Sequence, residues 1–174
     1  MHLFTADFGL DTLAEQMEKT EFPWLMSNVI DNETGRPLAD GKVHHTIDWC
    51  GRKIGLIGLV EREWLDTLAT INSDEVDYTD YVDAASMLAT ELKRKGKYWT
   101  GNPITPELWL KLSLLLGCEY VIALTHMRTH SDIRLAENVP EVDLILGGHS
   151  KVYEKRRVGY QNYLVNIGQY VLFR

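Results

Sequence analysis

Between Tyr120 and Lys151 the chain reads YVIALTHMRTHSDIRLAENVPEVDLILGGHSK, and no other stretch constrains the fold as much. Tyr120 to Leu124 and Val142 to Leu146 are continuous apolar runs rich in β-branched residues, the composition of strands covered on both faces in a parallel sheet. Each run stops at a polar turn, Thr125-His126 after the first and Gly147-Gly148-His149 after the second. A short helical excursion joins them. With the strands parallel, both imidazoles stand at one carboxyl edge, where the ligands of open α/β sheets collect. A lone histidine on such a loop is usually just hydrogen-bonded. Two in equivalent places suit a divalent cation, since neutral imidazole offers a borderline-soft nitrogen and adds no charge. The glycine pair, free of Cβ atoms, lets an ion or phosphate approach the backbone and equally suits a plain tight turn.

The rest of the chain narrows the class. Its 174 residues are about one domain's worth, and 45% hydrophobic with 25% charged residues is ordinary globular composition. A net charge of −7 gives no electrostatic footprint for nucleic acid, and the basic clusters Lys93-Arg94-Lys95 and Lys155-Arg156-Arg157 are short. No apolar run approaches the roughly 20 residues that cross a bilayer, because Lys111 interrupts the longest candidate. The opening MHLFTADFG lacks the basic and apolar regions of a signal peptide. Cys50 and Cys118 are too few for a disulfide framework and read as reduced thiols, which predicts a cytoplasmic protein.

In order, Leu10 to Lys19 is predicted as an amphipathic helix, and Phe22 to Ser27 as a short strand entered through Pro23 and ending at Asn28. Asp31 to Lys42 has turn composition and reads as an exposed loop. Val43 to Trp49 and Arg52 to Val60 make an antiparallel hairpin about Cys50-Gly51, with the second arm central; alternation sends His44 and His45 to opposite faces, so they cannot share a site. A helical turn follows at Trp64 to Leu68. Thr79 to Lys95 is strongly helical, with Val82, Ala85, Leu88, Ala89 and Leu92 on one stripe. Residues 97–117 read as an insertion carrying a second helix from Thr105-Pro106-Glu107, with Leu108, Leu112, Leu115 and Leu116 on its apolar face. Val152 to Val158 and Tyr163 to Ile167 complete the chain as a hairpin turning near Gly159. Asp132 reads as a helix cap and His130 as a surface loop residue.

Thr125-His126-Met127-Arg128, then Gly147-Gly148-His149-Ser150, with Asn28 upstream after PWLMSN, resemble the later motifs of the calcineurin-like metallophosphoesterases, in their 5′-nucleotidase-like branch. The resemblance spans about Asp7 to Ile167. It implies an α/β/β/α sandwich, here one partial domain over 1–174 lacking the N-terminal strands, and it implies Asn28, His126 and His149 as ligands of one divalent ion such as Mn²⁺ or Zn²⁺. The family's usual second metal ligand, two residues after the final histidine, is Lys151 in this chain; a protonated amine has no lone pair to donate. Matching Asp7-Phe8-Gly9 to the end of the family's Gly-Asn-His motif puts Leu3 and Phe4 where the asparagine and histidine belong.

Two-metal hydrolysis needs a carboxylate bridge holding the ions about 3.5–4 Å apart, and the resemblance supplies none here. The implied function is a metal-dependent phosphoric-ester hydrolase acting on a nucleotide, with weak or no activity in this chain. A non-catalytic interaction module, pairing with itself or a relative through exposed sheet edges, is the alternative from another class. A single-metal or phosphate-binding protein ranks third. No catalytic residue is assigned and the substrate-binding residues are unknown.

Overall fold

The computed structural model describes residues 10–67, 73–94, 117–149, 154–158 and 162–166. Its elements are α1 (Leu10–Glu18), β1 (Val29–Asp31), β2 (His44–Trp49), β3 (Arg52–Val60), α2 (Arg62–Thr67), β4 (Val76–Tyr78), α3 (Tyr81–Arg94), β5 (Tyr120–His126), α4 (Thr129–Asn138), β6 (Leu144–Gly147), β7 (Glu154–Val158) and β8 (Asn162–Asn166). Six strands form a mixed sheet in the order β2-β3-β5-β6-β8-β7, while β1 and β4 pair separately. The middle of the sheet is parallel, β3 with β5, β5 with β6 and β6 with β8, and antiparallel β2 and β7 flank it. The strands on either side of α4 are therefore parallel, as their unbroken apolar runs predict.

Local chemistry accounts for the hairpin and the long helix. Cys50 and Gly51 both take positive φ, 50° and 76°, the signature of a tight turn whose twist matches its strands, and Trp49 pairs with Arg52. Ahead of α3, the Asp80 carboxylate accepts the Val82 N–H at 2.9 Å, capping an orphan donor of the first turn. Helix α3 lays Ala84, Ala85, Leu88, Ala89 and Leu92 against the sheet face formed by Ile57, Leu59, Val121, Ala123 and Ile145, and α4 adds Leu135 and Ala136. Val82 is only half-buried, at the margin of this stripe. Truncating a fully buried member such as Leu135 costs about 2–5 kcal/mol. A second core joins Leu13 of α1, Met26, Val29 and Leu38 to Val60, Trp64, Leu65 and Val76.

Three expectations are corrected. Phe22 to Ser27 is not a strand: only Leu25 makes an isolated bridge, to Lys42, and the strand begins after Asn28. The segment lies against β3 without forming a ladder with it. Ser27 N–H donates to Gly58 O and Gly58 N–H donates to the Ser27 hydroxyl, each at 2.8 Å. The approach is so close that a Cβ on Gly58 would meet the Leu25 Cβ at 2.7 Å. The stretch 31–42 is not wholly exposed either, because Leu38 is buried in a 3₁₀ turn whose next two residues, Ala39 and Asp40, hold φ of 56° and 55°. Finally, Asp132 is no cap. It lies inside α4, whose first turn also carries His130, so His130 is an exposed helical residue and not one of a loop.

The hairpin of β7 and β8 is antiparallel. Its turn at Gly159, the helix expected from Thr105 and nearly all of 97–117 lie outside the described residues. Among the described residues no helix is long and apolar enough to cross a membrane.

Candidate functional site

Alternation along β5 divides its residues between two faces. Val121, Ala123 and Thr125 are buried toward the helices, and Ile122, Leu124 and His126 are half-buried on the other side. His126 is the last residue of β5 and pairs with Val60 at the end of β3. His149 follows the last residue of β6 by two positions and is exposed. Its φ of 68° lies in the left-handed region, a conformation that non-glycine residues adopt mainly where the surroundings enforce it. That turn brings His149 Nδ1 to 3.4 Å from His126 Nε2, with the rings edge to face at 5.1 Å between centroids.

Gly148 is the joint between the two strand ends. Its N–H donates to Thr125 O at 2.8 Å. A Cβ there would sit 3.2 Å from Thr125 O and 3.3 Å from His126 Nδ1, so the His126 ring rests against bare backbone.

Asn28 is employed differently from the two histidines. It is 2% exposed; its Nδ2 donates to Val60 O at 2.9 Å and to Thr79 O at 3.0 Å, and its Oδ1 accepts the Val60 N–H at 3.1 Å. Thr79 N–H in turn donates to Asn28 O at 3.0 Å. The side chain thereby staples the end of β3 to the start of β1 and the segment before α3. These bonds occupy both amide hydrogens and one acceptor site of the oxygen.

Two buried carboxylates lie beside the histidine-bearing edge, Glu61, which sequence reasoning missed, and Asp132, which it took for a cap. Glu61, directly after β3, is 7% exposed; it accepts the Ser131 hydroxyl at 2.7 Å and the Arg128 N–H at 3.3 Å, and the Arg128 guanidinium lies 3.7 Å away. Arg128 also pairs with Glu63. Asp132 is 0% exposed; its Oδ1 accepts the Thr125 hydroxyl at 2.6 Å, and among the described residues Oδ2 has no hydrogen-bond partner. Burial pushes the Asp132 carboxyl up to about 7, the Glu61 charge adds to the rise, and the Thr125 hydrogen bond opposes it. The signal was visible only as spacing, since Asp132 stands seven residues after Thr125 and a helix start brings them together.

The donor set can be tested against a metal. Two imidazole nitrogens on a tetrahedral ion at about 2.0–2.1 Å stand roughly 3.3 Å apart, so the His126–His149 spacing suits two corners of such a site. Among the described residues no three or more His, Cys, Asp and Glu side chains converge as a metal-holding group. The arrangement fits two ligands of a cation and does not by itself complete a site.

No family model matches the chain. The 5′-nucleotidase of Vibrio cholerae is 31% identical over 161 residues, which are 83% of this chain and 24% of the relative. Among solved structures, the NAD nucleotidase of Haemophilus influenzae superposes with a TM-score of 0.67 at 19% identity, over 93% of this chain and 31% of that one. The calcineurin-like phosphoesterase YfkN of Bacillus subtilis gives 0.62 at 17% identity, over 92% of this chain and 51% of that one. The chain spans about a quarter of the length of the curated relatives it matches. Its mixed α/β architecture is that of metallophosphoesterase-fold proteins. With paired histidines at the carboxyl edge, the chain has the fold of the calcineurin-like phosphoesterases and is similar over most of its own length to 5′-nucleotidases.

Proposed function

We propose that this chain contributes part of the metal site of a phosphoric-ester hydrolase acting on nucleotides, in nucleotide catabolism, and that on its own it binds one divalent cation and turns over weakly or not at all. The observation that carries the reading is the convergence of His126 and His149 at 3.4 Å on the carboxyl edge. His126 and His149 hold the ion, Mn²⁺, Zn²⁺ or a similar cation, which supplies Lewis acidity toward a phosphoryl oxygen. Asn28 enters the set only through the remaining lone pair of an oxygen already bonded to Val60 N–H, so its part as a ligand is the weakest of the three. Weak turnover follows from the donor count: among the described residues no carboxylate joins the histidines to hold a second ion.

We read 1–174 as one metallophosphoesterase-like domain with 97–117 inserted in it. Cys50, exposed, and Cys118, buried, are not joined in a disulfide, which is consistent with a reducing, cytoplasmic setting. Calorimetric titration of Mn²⁺ and Zn²⁺ tests the reading: one equivalent bound at micromolar Kd, lost in His126→Ala/His149→Ala, supports it. Equal binding by both proteins, or none by either, rejects it. A nucleoside monophosphate assay with the better-binding ion then measures turnover.

A second reading, an interaction module, is favoured by one observation. The outer strand β2 has β3 as its strand partner among the described residues and ends on Trp49, which is 65% exposed. Light scattering that finds a dimer abolished by Trp49→Lys supports pairing through this edge, and a monodisperse monomer rejects it.

A further inference from the structure

Asp132 is difficult to explain as scaffolding alone. It is 0% exposed, and Oδ2 has no partner among the described residues. A charge acting on it is another carboxylate, Glu61, which follows the end of β3. A buried carboxyl so placed is costly, and an apolar residue would fill the space more cheaply. What the carboxyl does contact is specific. Oδ1 takes the Thr125 hydroxyl at 2.6 Å, on the helix-covered face of β5, one residue before His126 on the opposite face. The Thr125 carbonyl takes the Gly148 N–H at 2.8 Å, one residue before His149. A single relay thus runs from α4 through β5 to the turn after β6, and it touches the residue preceding each imidazole. Beside it, Glu61 fixes the start of α4 through Arg128 N–H and the Ser131 hydroxyl, so the helix carrying Asp132 cannot drift from the strand ends.

We propose that Asp132, acting through Thr125 and Gly148, is a positioning residue that sets the mutual geometry of His126 and His149. The role of that pair toward a cation rests on the function proposed above; the geometry itself can be tested without metal.

The experiment uses the full chain and the variants Asp132→Leu, Asp132→Asn and Thr125→Val. The first readout is the NMR cross-ring Overhauser contact between His126 and His149 in metal-free protein. The second is the visible absorption and affinity of added Co²⁺. Expected are cooperative melting in all folded variants, at least a fivefold weaker cross-ring contact in Asp132→Leu and Thr125→Val, and at least tenfold weaker Co²⁺ binding. Asp132→Asn, which still offers Thr125 an acceptor, should keep both readouts within twofold of the native chain. Should Asp132→Leu fail to fold, Thr125→Val decides alone, because valine keeps the shape and removes the hydroxyl. Native values in Thr125→Val, or an Asp132→Asn as impaired as the leucine variant, overturn the proposal. A native chain that keeps the cross-ring contact but binds no Co²⁺ rejects the metal reading and leaves the positioning role to be decided by the contact alone.

Discussion

His149 Nδ1 stands 3.4 Å from His126 Nε2, although the two residues belong to different strand ends and lie 23 positions apart. Replacing either imidazole by alanine leaves a single nitrogen donor where two converged. Each single variant is expected to weaken Mn²⁺ or Zn²⁺ binding by at least tenfold with little change in melting temperature, since His149 is exposed and His126 half-buried. Titration calorimetry beside a thermal melt checks this, and unchanged affinity in both variants would remove the pair from the site.

Asn28→Ala is expected to act on stability first. It leaves Val60 N–H and Thr79 O, both tied to the amide, without that partner at a position 2% exposed. At about 1–3 kcal/mol for each of these two stranded groups, the loss is roughly 2–6 kcal/mol. Urea denaturation measures it. A fully stable Asn28→Ala that has lost its metal would instead make Asn28 a ligand before all else.

Gly148→Ala tests the joint. The new methyl would press on Thr125 O at 3.2 Å and His126 Nδ1 at 3.3 Å, contacts that force small shifts of backbone or ring. Overpacking of this kind costs about 1–3 kcal/mol, which lowers the melting temperature of a domain this size by several degrees. Metal affinity should fall with it. Scanning calorimetry that finds no loss would mean the turn has slack.

Asp132 makes stability depend on pH, with a sign opposite to that of a salt-bridged carboxylate. Its folded value of about 7 lies above the ordinary 3.8, so the folded chain holds a proton that the unfolded chain releases. This group's penalty is absent below about pH 4, grows as pH rises, and is complete above pH 7. At about 1.4 kcal/mol for each pKa unit, it reaches about 4 kcal/mol. Asp132→Asn removes the ionisation, so its stability relative to the native chain should rise across pH 4 to 8 in urea melts. Parallel pH curves for the two proteins would disprove the assignment.

Most of the sheet was legible because its signals are local. The runs at Tyr120 and Val142 read as buried strands and Cys50-Gly51 as the joint of two arms, and the places of His126 and His149 follow from the ends of those strands, although β5 runs on through Thr125 and His126 and β6 starts only at Leu144. The segment before Asn28 was misread because its partners lie far along the chain: Ser27 bonds Gly58, 31 residues away, and no periodicity announces a segment held against a strand in this way. Asp132 was misread for a related reason. An acidic residue near a helix start fits a cap, and only the packing of α4 on β5 turns it inward toward Thr125.

The parallel pairing of β3 with β5 also sets the order in which the molecule can form. The β2–β3 hairpin needs two turn residues and closes within microseconds, as hairpins do. The contact that anchors α4, Glu61 to Arg128, joins residues 67 apart, so it must wait for a long loop to close. During that wait the apolar second arm, with Ile57, Leu59 and Val60 all at 0% exposure in the finished fold, lacks its neighbour. Refolding yield should therefore fall with protein concentration, because another chain can meet that open arm before β5 arrives.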